Sequence, residues 1–203
     1  MPARTATELP GVQLHPGDHI CAFYRAPAER DDILIPFLIG GLKSGGKCTC
    51  VVDSCTPDAV LQALTAELDA QSYIDDSLLE VLDSDETYFA GGGFLPEQML
   101  LFWAGKARAC TTNGGTVTRN IGDMSWAHRD KPGVDQLAMY ESELNRVMGD
   151  VPQVNMCLYD LTRCSGALIL DVLKTHPKAM LGGMVIDNPY YLEPDEFLAL
   201  RRR

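Results

Sequence analysis

The chain has 203 residues, enough to bury the core of one large domain, and its 46% hydrophobic and 22% charged residues are those of an ordinary globular protein rather than a disordered one. A formal net charge of −11 argues against a protein that must neutralise many phosphates, so no direct nucleic-acid partner is expected, and the terminal Arg201–Arg203 run reads as a solvated tail. No run approaches the roughly 18 apolar residues of a membrane span, and "MPARTATELPG" lacks the apolar core of a signal peptide, so the expected location is cytoplasmic, with no membrane partner.

Residues 1–15 read as an N-terminal leader, followed by one domain over 16–200 that opens after the turn-forming "HPGD". "HICAFY" has the β-branched and aromatic run of a buried strand. "AERDDILIPFLIGGLKSGG" carries acids first, a base late and glycines beyond, the order of a helix aligned with its own dipole, although Pro36 interrupts its hydrogen bonding. "KCTCVVD" predicts a second strand. In "SCTPDAVLQALTAELDA" the apolar Val60, Leu61, Leu64 and Leu68 recur at helical spacing.

The alternation continues through a strand at "LLEVLDS", a glycine-closed helix at "LPEQMLLFWAGKARACTTNGG", and a strand at "GTVTRNIGDMSW". A helix at "GVDQLAMYESELNRVMGD", a strand at "VNMCLYDL", a helix at "SGALILDVLKTHP" and a last strand and loop at "KAMLGGMVIDNPYY" complete it. Five or six strands alternating with about five helices predict a three-layer α/β domain with a mostly parallel central sheet. Ligands of such sheets gather beyond the carboxyl ends of the strands, where most of the polar and aromatic candidates fall.

Beyond the first strand a nucleotide-binding fold would carry a phosphate loop, G-x-x-x-x-G-K-[ST], but residues 24–32 hold only "YRAPAERD" and the start of a helix. The nearest imitation, "GGLKSGGK", falls at a helix end, where glycines serve as caps. Seven cysteines without a C-x-x-C pair fit a reducing compartment. His19 with Cys21, and Cys48 with Cys50, alternate on strands and open the alternative of a thiol or metal sensor. Asp53, Asp123 and Asp160 each follow a strand and could act as metal-binding or general-base carboxylates, which opens a second alternative, an ATPase relative with an altered loop at 24–32 and Asp123 or Asp160 holding magnesium. A scaffold that binds only protein is a third.

The aromatic set Tyr24, Tyr88, Phe89, Phe94, Trp126, Tyr159, Tyr190 and Tyr191, with Arg30, Arg119 and Asn188 as directed polar groups, suits a pocket for a small, mostly apolar organic molecule. The succession "GDHICAFY", "ER", "ILIPFLIGGLKSGGKCTCVVD", "RNIGDMSW", "YESELN", "CLYDLTRCSGALILDVLKTHP" and "DNPYYLEPDEFL" resembles the MEDS domain, the methanogen/methylotroph sensory domain of DcmR-type regulators.

That resemblance implies a RecA/KaiC-like domain without a working phosphate loop, which senses hydrocarbon derivatives. It implies no catalysis, no cofactor and no metal. The family's motif positions correspond here to His19, Tyr24, Arg30, Asp53, Arg119, Trp126, Glu141, Asn145, Tyr159, His176, Asn188 and Tyr191. Asp123 stands where the family commonly has glutamate, so its carboxylate is one methylene shorter; it is kept with the expected ligand-binding residues. Output is expected through a signalling partner protein (a kinase, a regulator or an anti-sigma-like protein) or through self-association, and "YFAGGGF" at 88–94 is the expected mobile element.

Overall fold

The computed structural model describes residues 14–112, 117–148 and 152–202; of the expected leader only Leu14 and His15 fall among them, and the glycines expected to close the helix at "TTNGG" lie outside. The first strand, β1 (His19–Tyr24), is buried at every position but Phe23. Two residues later α1 (Pro27–Lys43) begins, with Pro27 at a position whose N–H has no helical acceptor. Pro36 removes the bond to the carbonyl of Asp32, but Asp32 is exposed, so water can take that carbonyl and the helix continues.

The next strand is β2 (Cys48–Val52). The helix expected over residues 54–70 is shorter, α2 (Pro57–Thr65), and a further helix, α3 (Ala70–Asp75), follows where Asp69 caps a new start by accepting from the Ser72 N–H. Then come β3 (Leu79–Asp83), the one-turn α4 (Ser84–Thr87), α5 (Pro96–Thr112) and β4 (Thr118–Asp123). Two 3₁₀ turns, Met124–His128 and Val134–Gln136, lead to α6 (Leu137–Met148), β5 (Gln153–Asp160) and α7 (Gly166–Thr175).

The C-terminal stretch departs most from expectation. In place of one strand and a loop, β6 (Lys178–Leu181) and β7 (Met184–Asp187) form an antiparallel hairpin. Its two-residue turn is Gly182–Gly183, both at positive φ, the backbone that matches the natural twist of paired strands. The chain then closes on α8 (Pro194–Arg201), started by a capping box in which Glu193 and Glu196 each accept from the other's backbone N–H.

Seven strands form one sheet in the order β3-β2-β4-β5-β1-β6-β7, parallel throughout except for β7. Strand alternation sorts the core into two layers. Ile20, Ala22, Cys48, Cys50, Ile121, Met156 and Leu158 face α1 and α2, while Cys21, Val51, Cys157 and Tyr159 face α5, α6 and α7. Helix α1 lies close on its face because of Gly40 and Gly41. A Cβ on Gly41 would stand 2.5 Å from the Cys48 sulfur and 2.8 Å from Cδ of Arg119.

Candidate functional site

At the carboxyl ends of β1, β2 and β4 the sequence supplies short polar side chains, and these bind one another. Asp123 accepts from the backbone N–H groups of Asp53 (3.2 Å), Ser54 (2.6 Å) and Ser125 (3.1 Å), and from the Ser54 hydroxyl. Arg30 donates to Ser54 Oγ (2.8 Å) and to Asp31, and the Tyr24 hydroxyl meets Ser125 Oγ at 3.1 Å. Burial, and then the nearby Asp123 carboxylate, push the Tyr24 phenol up. Asp53 is bound by the Ser84 hydroxyl and the Arg129 guanidinium; burial pushes its carboxyl up against those two partners.

The start of α1, where a phosphate would sit, is occupied too. Glu29 in its first turn accepts from the Arg25 N–H at 2.9 Å and pairs with the Arg25 guanidinium at 2.7 Å. A carboxylate at the positive end of the helix bonds there in the place a phosphate would take. Pro27 further removes one N–H from the cradle. Asp160, the other candidate for magnesium, is spent on its own turn, accepting from Thr162 N (2.9 Å) and Oγ1 (2.6 Å).

Behind this edge, on the α5–α6 face, the aromatic residues form a closed layer. Trp126 is fully buried and packs against Phe94 (4.5 Å between ring centroids), Tyr88 (4.7 Å) and Phe89 (5.6 Å), and Phe94 stands edge-on to Tyr140. Tyr88, Phe89 and Phe94, the aromatics of the expected mobile element, are all buried. Nε1 of Trp126 has no hydrogen-bond acceptor among the described residues. Next to the layer lies a cavity of about 10 Å³, room for about one water, lined by Tyr88, Trp103, Tyr140, Asn120 and Cys157 among others. Asn120 donates to Asn155 and Gln153 while its own Oδ1 is unpaired.

Further along the same face, beneath α6 and α7, a charged group is buried outright. Glu141 of α6 is shielded completely, as are His19 at the start of β1 and His176 just before β6. Glu141 Oε1 accepts from the Tyr159 hydroxyl at 2.8 Å; Oε2 stands 3.2 Å from His19 Nε2 and 3.5 Å from His176 Nε2. The Cys157 sulfur lies 3.6 Å from His19 Nε2 and 3.7 Å from Glu141 Oε2. Burial would raise the Glu141 carboxyl, but the two imidazoles and the tyrosine outweigh it and hold the group below its ordinary range. Burial and the neighbouring His19 push His176 down to about 3, and burial with the Glu141 carboxylate pushes the Cys157 thiol up.

The expected ligand-binding residues therefore fall in several places. Tyr24, Arg30, Asp53 and Asp123 share the carboxyl edge; Trp126 belongs to the aromatic layer; His19, Tyr159 and His176 belong to the buried cluster with Glu141 and Asn145. Arg119 lies on the opposite face, donating to the Phe37 carbonyl (3.0 Å) with its guanidinium over the Phe37 ring. Asn188 ties the β6–β7 end to α7 through the carbonyls of Leu173 and His176, and Tyr191 bonds Glu193. The grouping of His19 and Cys21 with Cys48 and Cys50 is corrected outright, because the first pair faces α6 and α7 and the second faces α1.

Sequence reading missed Cys157, Ser54, Arg129 and Tyr140. For Cys157 a signal existed: Asn155, Cys157 and Tyr159 alternate along an otherwise apolar strand and so project a polar row to one face. Arg129 and Ser54 sit in irregular segments, where spacing predicts no direction.

Residues 18–177 match the family profile described as MEDS, MEthanogen/methylotroph, DcmR Sensory domain. The transcriptional repressor DcmR of Methylorubrum extorquens is 30% identical over 182 residues, which cover 84% of this chain and 62% of the repressor. The chain thus spans about three-fifths of the length of that relative. Similar solved structures include the flagellar accessory protein FlaH of Methanocaldococcus jannaschii (TM-score 0.61, 10% identity, covering 86% of this chain and 77% of that one). Two Pyrococcus horikoshii proteins are also similar: PH0321 (TM-score 0.60, 12% identity, 79% and 75%) and the KaiC-like PH0186 (TM-score 0.57, 8% identity, 81% and 70%). The fold is RecA/KaiC-like, a mostly parallel sheet between two helical layers.

Proposed function

The chain belongs to the MEDS family of sensory domains, and on that premise we propose that it is a non-catalytic cytoplasmic sensor that binds a small organic ligand and hands its state to a partner protein. The observation that carries the non-catalytic part is the filled start of α1, where Glu29 and Pro27 stand in place of a phosphate cradle. The engagement of Asp123 by four donors supports it further, since that carboxylate is buried and already bonded to the surrounding loops.

The ligand reading favours the aromatic layer around Trp126, with Tyr159 in the neighbouring buried cluster. Ring faces with two unpaired polar atoms, Nε1 of Trp126 and Oδ1 of Asn120, suit a small, weakly polar molecule. The present cavity is too small for one, so binding requires the rings to part, and a ligand that binds only the parted state shifts the domain toward it. Tyr24, Arg30, Asp53 and Asp123 then serve as the bonded edge that moves with the layer. By the same reading Arg119, Asn188 and Tyr191 serve the ligand indirectly, by holding the elements around it.

A thermal-shift screen tests this with ATP and magnesium in one arm and small hydrocarbon derivatives in the other. A compound at 100 times its dissociation constant stabilises the fold by about 2.7 kcal/mol. Stabilisation by an organic compound and not by ATP is expected. Stabilisation by ATP alone overturns the reading.

A further inference from the structure

Four donor atoms from four separate elements converge inside the α6–α7 face: Nε2 of His19 (β1), Oε2 of Glu141 (α6), Sγ of Cys157 (β5) and Nε2 of His176, at the lead into β6. All four lie within 4.8 Å of one another and all four residues are buried. Both imidazoles are held with Nε2 turned inward. Asn145 donates its amide to the carbonyls of Glu141, Ser142 and Thr175, which leaves its Oδ1 facing His19 Nδ1 at 3.0 Å; that oxygen can only accept, so Nδ1 carries the hydrogen. Nδ1 of His176 faces the Val172 carbonyl at 2.8 Å, so it too is the protonated nitrogen.

The consequence is electrostatic. His176 Nε2 is a buried nitrogen with no hydrogen-bond partner, and it points at a carboxylate oxygen 3.5 Å away. His19 Nε2 points at the same oxygen from 3.2 Å. A proton on His19 Nε2 would satisfy its contact with Glu141, but it leaves His176 Nε2 without a partner; one cation among the donors serves both nitrogens and the carboxylate. The spacing admits one: four of the six separations run 3.2–3.7 Å, the edges of a tetrahedron whose corners stand about 2.0–2.3 Å from its centre, which spans the zinc–nitrogen, zinc–oxygen and zinc–sulfur bonds, and the other two lie within 4.8 Å.

We propose that His19, Glu141, Cys157 and His176 bind one divalent transition-metal ion of the zinc class. A carboxylate and a thiolate cancel the charge of a dication, so the buried site is neutral when loaded. Two imidazoles, a carboxylate and a thiolate form a borderline set that suits zinc, and all four positions come from the chain, the mark of a structural site without an open position for catalysis. The outer contacts are those of such sites: a side-chain amide and a backbone carbonyl orient the two imidazoles, and the Tyr159 hydroxyl binds the second oxygen of Glu141. Because the ligands come from two adjacent strands, the lead into a third and a covering helix, the site exists only once these have met, and loading accompanies folding. The ion would fasten α6 to β5, β1 and β6. This inference does not depend on the ligand proposed above for the aromatic layer.

The test uses the full chain, expressed in zinc-supplemented medium and purified without chelator. Elemental analysis is expected to find one zinc per chain, falling at least about tenfold in His176→Gln and Cys157→Ser. Protein stripped with chelator and titrated with Co²⁺ is expected to show the strong visible absorption of four-coordinate cobalt and a thiolate-to-cobalt charge-transfer band, the latter absent in Cys157→Ser. Wild type that holds no metal above the blank and gives only the pale spectrum of six-coordinate cobalt overturns the proposal. So does a charge-transfer band that survives in both variants, since the thiolate would then be another cysteine. Should both variants fail to fold by circular dichroism, the wild-type titration decides alone.

Discussion

Trp126 is the sharpest probe of the aromatic layer. Its ring is wholly buried among Tyr88, Phe89 and Phe94, so Trp126→Ala removes a large apolar body that these neighbours only partly refill, and a loss of about 3–5 kcal/mol is expected. Alanine at 126 is therefore a poor test of ligand contact, because it tests the fold as well. Phenylalanine separates the two effects. It leaves a void of about 40 Å³, worth about 1 kcal/mol at ~24 cal/mol per Å³. It also deletes an indole N–H that has no acceptor, and an unsatisfied buried donor costs about 1–3 kcal/mol. The terms oppose, so Trp126→Phe should stay within about 1 kcal/mol of wild type. Urea denaturation measures both variants, reading the midpoint shift at unchanged slope. Trp126→Phe as damaging as Trp126→Ala would refute the reasoning, because Nε1 would then have a partner whose loss is felt.

Two glycines give opposite expectations under the same substitution. Gly41→Ala drives a Cβ into Cys48 and Arg119 and should cost about 1–3 kcal/mol, whereas Gly105→Ala on the exposed face of α5 meets nothing within 4 Å and should gain about 0.5–1 kcal/mol; thermal melts rank them. Burial pushes the Glu80 carboxyl up, but Lys106 and Lys47 outweigh it and hold it below its ordinary 4.5. A folded value below the unfolded one means stability present above about pH 4.5 and lost as pH falls through the folded value, so Glu80→Gln should flatten the acid limb of a stability–pH curve. Arg129→Ala leaves the buried Asp53 carboxylate with Ser84 alone among its side-chain donors and should destabilise by about 1–3 kcal/mol; if the pair is coupled, adding Asp53→Asn will cost less than the sum, as a double-mutant cycle reads.

The fold was legible in the sequence where periodicity was long and regular. β1, α1, β2, α6, β5 and α7 lie where apolar runs and helical spacing predict them, because burial on a sheet face or helix stripe imposes those periods. The hairpin at Gly182–Gly183 differs from the expected last strand and loop, although two adjacent glycines between apolar runs are a hairpin signal. The replacement of the phosphate loop was also readable, since a phosphate cradle needs residues that "YRAPAERD" does not contain.

What tertiary structure decided was which of the singled-out residues meet. His19, Glu141, Cys157 and His176 are far apart in the chain and come within 4.8 Å only because β1 lies between β5 and β6 with α6 laid across them. Strand alternation places His19 with Cys21 and Cys48 with Cys50, but it carries no information on whether two strands turn those residues to the same side. That depends on the order of strands in the sheet and on which helix covers each face. Such long-range choices are settled by packing the whole core, so the sequence by itself determined the elements and the chemistry each one carries, and the sheet determined which of those chemistries share a site.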